Sequence, residues 1–104
     1  MKQLYNLKDI TVTIPTLNEE KNISQCIKSI RNAGIKKIIV IDGCSQDKTV
    51  EKLKKLKVEF VKLPNKKGLA YQRMLGVNRT KTKFIALFDA DMRPHKDCFK
   101  IMID

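Results

Sequence analysis

Residues 83–94 read K-F-I-A-L-F-D-A-D-M-R-P. The apolar side chains Phe84, Ile85, Ala86, Leu87 and Phe88 run without interruption into Asp89 and Asp91. A short, unbroken apolar run predicts a strand covered on both faces, as in a parallel sheet packed between helices. Carboxylates at the end of such a strand are costly to bury unless something compensates them. If the chain stays extended through Ala90, both carboxylates leave on the same side. Two hard oxygen ligands so arranged suit a Mg²⁺ or Mn²⁺ ion shared with a phosphate. The same spacing is met if Asp89 closes a turn and Asp91 caps the next helix.

Upstream, strands and helices alternate. Ile10, Val12 and Ile14 alternate with Thr11 and Thr13 as a first strand, which Pro15 is expected to stop. Asn18 is placed to cap the next helix, with Glu19 and Glu20 at its positive end. Ile23, Cys26, Ile27 and Ile30 give that helix an apolar stripe, and Gly34 ends it. Residues 36–41 form a second strand and 42–47 a loop, and a second helix turns Val50, Leu53 and Leu56 inward. Residues 58–63 make a more mixed third strand, nearer an edge. A third helix covers 69–78 with Ala70, Met74 and Val77 on one face, and a fourth starts after His95.

This alternation predicts an α/β fold: an open, doubly wound parallel sheet with right-handed crossovers. In such sheets ligands sit beyond the carboxyl ends of the strands, where strand order reverses. With order 3-2-1-4, the first and fourth strands flank that crevice. Residues 15–19, Asp42 and the pair Asp89/Asp91 would then border one pocket.

The chain of 104 residues has room for one domain, and 42% apolar residues suffice for a core. A net charge of +11 implies an anionic partner: a nucleotide, nucleic acid or a phospholipid surface. The basic residues are spread along the chain without interleaved aromatics, so specific nucleic-acid binding is not expected. Cys26, Cys44 and Cys98 lack metal or disulfide spacing. Cys26, on the apolar stripe of the first helix, is expected in the core. No apolar run is long enough to cross a bilayer and the first ten residues hold no signal-peptide core, so a cytoplasmic chain, peripheral to the inner membrane face, is expected. A dinucleotide fingerprint and a P-loop are both absent. The lone His95 has no persuasive triad partners and is expected to cap or to face solvent. What remains is a nucleotide site that binds phosphate through a metal.

Four segments, in order, carry a resemblance: V-T-I-P-T-L-N-E-E (12–20), V-I-D-G-C-S-Q-D-K-T (40–49), K-K-G-L-A-Y-Q-R (66–73) and F-D-A-D-M-R-P (88–94). Together they resemble the family 2 glycosyltransferases of the GT-A fold, in detail the branch that transfers sugars to polyprenyl phosphates. The resemblance implies a Rossmann-like GT-A half that binds a UDP- or GDP-linked sugar. Pro15, Thr16, Glu19 and Asp42 would line the base and ribose pocket. Asp89, Ala90 and Asp91 would form the D-x-D motif, with Asp91 holding Mg²⁺ or Mn²⁺ on the diphosphate and Asp89 near the ribose or sugar, as a second metal ligand. Gly68 would let the backbone pass close to the ligand. Arg73 would either pair with an acidic pocket residue or stand as an exposed helix charge.

Two departures stand out. Family members commonly show D-D-G-S or D-G-G-S in the second segment, where this chain has Asp42-Gly43-Cys44-Ser45. An acidic position is glycine, and Cys44 must adopt geometry that glycine normally supplies. Family enzymes also continue into an acceptor-binding half with the general base, which is expected beyond Asp104; Asp97 and Asp104 themselves have nothing to recommend them. No catalytic residue is identified. The free side of an apolar fourth strand invites association, with a second half or another copy. The implied activity is inverting sugar transfer, with a lipid phosphate at a membrane surface as acceptor. The alternative is a non-catalytic nucleotide- or anion-binding α/β module that dimerises.

Overall fold

The computed structural model describes residues 5–103, so Asp104 lies outside the described residues. After one turn of 3-10 helix (Leu7–Asp9), the elements run β1 (Ile10–Thr16), α1 (Ile23–Asn32), β2 (Lys37–Asp42), α2 (Thr49–Leu56), β3 (Glu59–Lys62), α3 (Leu69–Arg79), β4 (Phe84–Leu87) and α4 (Cys98–Ile103). All pairings are parallel and the strand order is β3-β2-β1-β4. The doubly wound sheet is as the alternation predicts, and its order is the expected 3-2-1-4.

Strand periodicity sends side chains to two faces. Ile10, Val12, Ile14, Ile38, Val40 and Ala86 join Ile23, Cys26, Ile27, Ile30, Leu53 and Phe99 in the main core. On the other face, Ile39, Ile41 and Leu63 pack with Leu75 of α3. Gly34 (φ +97°) turns the chain out of α1 with a left-handed residue that only glycine adopts at little cost.

Several local expectations give way to longer-range contacts. Pro15 does not end β1, which continues to Thr16 with Pro15 opposite Ile41. Thr13 O accepts from Phe88 N on the β4 side, whereas Thr16 O accepts from Gly43 N on the β2 side. Backbone polar groups alternate sides, so the ring nitrogen of Pro15 faces the β4 side, where pairing has ended. Asn18 does not cap α1, which starts at Ile23, and instead takes a left-handed conformation (φ +57°).

The inward side of α3 is also not the expected one. Met74 and Val77 are exposed and so is Ala70; Gln72 and Gly76 are the buried residues of the helix. A Cβ at Gly76 would sit 3.0 Å from Thr13 Cβ, so glycine is what lets α3 lie this close to β1. β4 is an edge strand among the described residues, with Phe84, Ile85 and Leu87 each at least 38% exposed and Ala86 alone buried. No described helix is long and apolar enough to cross a membrane.

Candidate functional site

A cavity of about 480 Å³ opens at the carboxyl ends of the strands. The segment after β1 contributes Pro15, Thr16, Leu17 and Glu19, and the end of β2 contributes Gly43. The entry to α3 adds Lys66, Gly68, Leu69 and Gln72, and the turn after β4 adds Asp89, Ala90 and Asp91. Two other hollows, of about 460 and 680 Å³, lie at the opposite end of the sheet among lysines such as Lys36 and Lys37. The larger of them therefore sits where helix carboxyl ends and their compensating cations meet, away from every motif quoted above.

Seven of the sequence-derived site residues line the cavity: Pro15, Thr16, Glu19, Gly68, Asp89, Ala90 and Asp91. Asp42 does not. It is fully buried behind Thr16, and its carboxylate accepts from the Thr16 hydroxyl (2.7 Å), the Ser45 hydroxyl (2.6 Å) and the Ser45 N–H (2.9 Å). In this arrangement Asp42 ties the end of β1 to the end of β2, and Gly43 takes the place on the cavity wall.

The turn after β4 departs from the extended geometry expected for the two aspartates. Met92 N donates to Asp89 O (3.1 Å), so the chain turns at Ala90 and Asp91. Arg93 straps this turn by donating to Ala90 O (3.0 Å) and Met92 O (2.9 Å), and reaches Asn22 Oδ1 of the α1 entry at 3.2 Å. Asp89 pairs with Arg73 of α3 at 3.1 Å, both side chains being nearly half exposed. Of the two readings of Arg73, pairing with an acidic pocket residue is the one observed. Asp91 is exposed and has no ion pair among the described residues.

Two loops are latched to one another. Asn18 N donates to Ser45 Oγ and Asn18 Oδ1 accepts from Gln46 N, both at 2.8 Å. Glu19 N donates to Thr49 Oγ1 (2.8 Å) and Glu20 N to Asp47 Oδ2 (3.2 Å). Burial would raise the Asp47 carboxyl, but hydrogen bonds from the Thr49 hydroxyl and N–H and from Glu20 N–H hold it below its ordinary value. Cys44 holds φ +80°, the left-handed geometry its place in the loop demands. Burial pushes the Cys26 thiol up to about 11 against the pull of Arg93, which makes it a core thiol rather than a nucleophile. His95 is exposed and its Nδ1 accepts from Asp97 N (3.1 Å).

Sequence reasoning missed Gly43, Gln72, Ser45 and Lys66. Ser45 had a signal: Asp-x-x-Ser after a strand is a pattern in which the carboxylate bonds the serine N–H and hydroxyl. Gln72 lies inside the quoted K-K-G-L-A-Y-Q-R segment (66–73), where nothing in its residue type singled it out.

No group of three or more His, Cys, Asp or Glu side chains among the described residues is arranged to hold a metal. A divalent ion shared with substrate phosphates needs only one or two carboxylates, its other positions being filled by phosphate oxygens and water. Asp91 fits that requirement; Asp89, engaged with Arg73, fits as its neighbour. Gly68 (φ +95°) starts α3 with nothing within 4 Å of where its Cβ would stand, and no side chain caps the helix. The uncapped N–H groups of this 11-residue helix therefore begin at the cavity.

Comparison with known proteins bears on this geometry. The chain is 37% identical over 101 residues to an uncharacterized protein of Methanocaldococcus jannaschii, covering 93% of this chain and 42% of that protein. It is 31% identical over 91 residues to the dolichol-phosphate mannosyltransferase of Pyrococcus furiosus, covering 81% and 26%. Among solved structures it resembles glucosyl-3-phosphoglycerate synthase from Mycobacterium tuberculosis in complex with Mn²⁺, UDP-glucose and phosphoglyceric acid. The TM-score is 0.72 at 26% identity, over 84% of this chain and 35% of that one. The chain thus spans less than half the length of these relatives. The fold is that of the GT-A glycosyltransferases. The model of the glycosyl transferase family 2 matches residues 11–104, nearly the whole chain, and this chain belongs to that family.

Proposed function

We propose that this domain binds a nucleoside diphosphate-sugar as the donor for inverting sugar transfer. The observation that carries the reading is a single cavity in which the unpaired carboxylate of Asp91 and the uncapped start of α3 meet the ends of β1 and β2. The diphosphate lies between Asp91 and the first N–H groups of α3, where helix polarity favours an anion. Lys66, on the same wall, adds a cation. A Mg²⁺ or Mn²⁺ ion bound at Asp91 supplies Lewis-acid stabilisation to the departing diphosphate. Arg73 holds Asp89 in place and thereby keeps the two aspartates on separate tasks. The Mn²⁺ and UDP-glucose in the mycobacterial structure support uridine and a divalent ion. The dolichol-phosphate substrate named for the Pyrococcus relative supports a polyprenyl phosphate as acceptor.

Thermal unfolding with UDP and with GDP, each with and without Mn²⁺, tests the donor reading on wild type and Asp91→Asn. Ligand at a hundred times its dissociation constant adds about 2.7 kcal/mol, which raises Tm by roughly 10 °C or more. The expected result is metal-dependent stabilisation by one nucleotide, abolished in Asp91→Asn. Stabilisation by neither nucleotide overturns the reading. Transfer of labelled sugar to a polyprenyl phosphate tests the acceptor.

A further inference from the structure

Gln72 is 5% exposed as a residue, yet it lines the cavity. Its Nε2 donates to Thr16 O (3.0 Å) and Ile41 O (2.8 Å). Two carbonyls fix which way the amide lies, since only the nitrogen can donate to them. Among the described residues nothing donates to Oε1. A Cβ on Gly43 would stand 2.8 Å from that oxygen, so the carboxamide fills the space a side chain at position 43 would take. Oε1 is not sealed in, since Thr13 Oγ1 is the one buried side-chain polar atom left without a partner among the described residues. Gln72 Oε1 is a fixed acceptor open to the cavity, where a ligand can supply the donor.

We infer that Gln72 reads the base of the donor nucleotide, its Oε1 accepting the hydrogen bond of an imino N–H. The inference rests on the donor reading above. The diphosphate cannot be the partner, because phosphate oxygens only accept; a ribose hydroxyl would donate equally in UDP and CDP, which the comparison below separates from a base contact. In the order β2-β1-β4, Gln72 bridges β1 and β2, while Asp91 follows β4. Two strand spacings, about 10 Å, separate the ends of β2 and β4, a span that fits a nucleoside reaching from its diphosphate to its base. Uracil N3–H and guanine N1–H are the imino groups that fit. Cytosine N3 and adenine N1 present a lone pair at the same place and are rejected.

Calorimetric dissociation constants for UDP, CDP, GDP and ADP in the presence of Mn²⁺, on wild type and Gln72→Met, test this. Methionine keeps the length and helix preference of glutamine but loses the amide. Wild type is expected to favour UDP over CDP, or GDP over ADP, by about tenfold or more, the pair affected naming the base. Gln72→Met is expected to bring that ratio to within about threefold, while Asp91→Asn weakens all nucleotides alike. A ratio unchanged in Gln72→Met with nucleotide still bound overturns the role of Gln72 and leaves the donor reading intact. Should the variant fail to fold, equal wild-type binding of UDP and CDP and of GDP and ADP overturns it just as well. Binding of no nucleotide by wild type overturns both.

Discussion

Gly43→Ala and Gln72→Ala form a double-mutant cycle whose result follows from three short distances. The alanine methyl would stand 2.8 Å from Oε1, 2.9 Å from Cδ and 3.0 Å from Nε2 of Gln72, so the amide must leave. Its departure forfeits the hydrogen bonds to Thr16 O and Ile41 O, at about 1 kcal/mol each. Gly43 is not among the positive-φ glycines, so alanine there also restricts the unfolded chain and returns about 0.5 kcal/mol. Gly43→Ala is thus expected to cost wild type about 1.5 kcal/mol, or roughly 6 to 12 °C in Tm. In the Gln72→Ala background those three contacts are gone, and the same substitution should stabilise by about 0.5 kcal/mol. The sign changes between backgrounds, and the coupling is about 2 kcal/mol. Chemical denaturation of the four proteins, monitored by circular dichroism, measures it. Additivity within about 0.5 kcal/mol would refute the packing of the amide over Gly43.

Asp42→Ala strands the Thr16 hydroxyl and both donors of Ser45, and is expected to destabilise by about 3 to 5 kcal/mol in the same denaturation experiment, with no nucleotide present. Asp47 has a folded-state pKa below its unfolded value of 3.8, so its contribution is fully present above pH 3.8 and is lost as pH falls through the folded value. Asp47→Asn should therefore flatten the acid limb of a Tm-against-pH profile and leave its shape near pH 7 unchanged. Cys26, buried and with its pKa near 11, should react with a thiol reagent at pH 8 only on unfolding, which timed mass spectrometry reads directly.

The parallel sheet was legible in the chain because it follows from alternation, and the end that holds the cavity follows once the order 3-2-1-4 is taken. The alternating segment 10–14 and the apolar runs 38–41 and 84–88, parted by helical stripes, leave few topologies open. The face of α3 was not legible. A search for apolar stripes selects Ala70, Met74 and Val77, and all three point to solvent. Besides Leu75 against Ile39, Ile41 and Leu63, what seats this helix is a missing side chain, Gly76 against Thr13, and a polar one that serves the backbone, Gln72 on Thr16 and Ile41. Neither Gly76 nor Gln72 registers as hydrophobic. Asn18 misled for a related reason. Its propensity to cap is local, whereas its actual partners, Ser45 and Gln46, lie 27 and 28 residues on.

The same long-range bonds explain why the cavity wall can be formed before any ligand arrives. Asp42 joins the end of β1 to the end of β2 across 26 residues through Thr16, and Gln72 joins α3 to both across 56 and 31. Asn18 closes the β1 loop on the β2 loop, so two loops and α3 share one frame. Such a frame lowers the ordering cost of binding, because loops already held in place lose little freedom when a ligand enters. The turn at Asp89–Asp91 is held differently. Arg73 and Arg93 grip it from α3 and from the turn itself, through partly exposed side chains that water can replace. On the proposed reading, the part of the wall that would meet the base is therefore rigid, and the part that would hold the diphosphate can adjust. A polar group fixed on a rigid wall rejects a mismatched partner, since neither can move to repair the contact. That division is why base selectivity should survive substitutions in the β4 turn, such as Arg93→Ala, that weaken nucleotide binding as a whole.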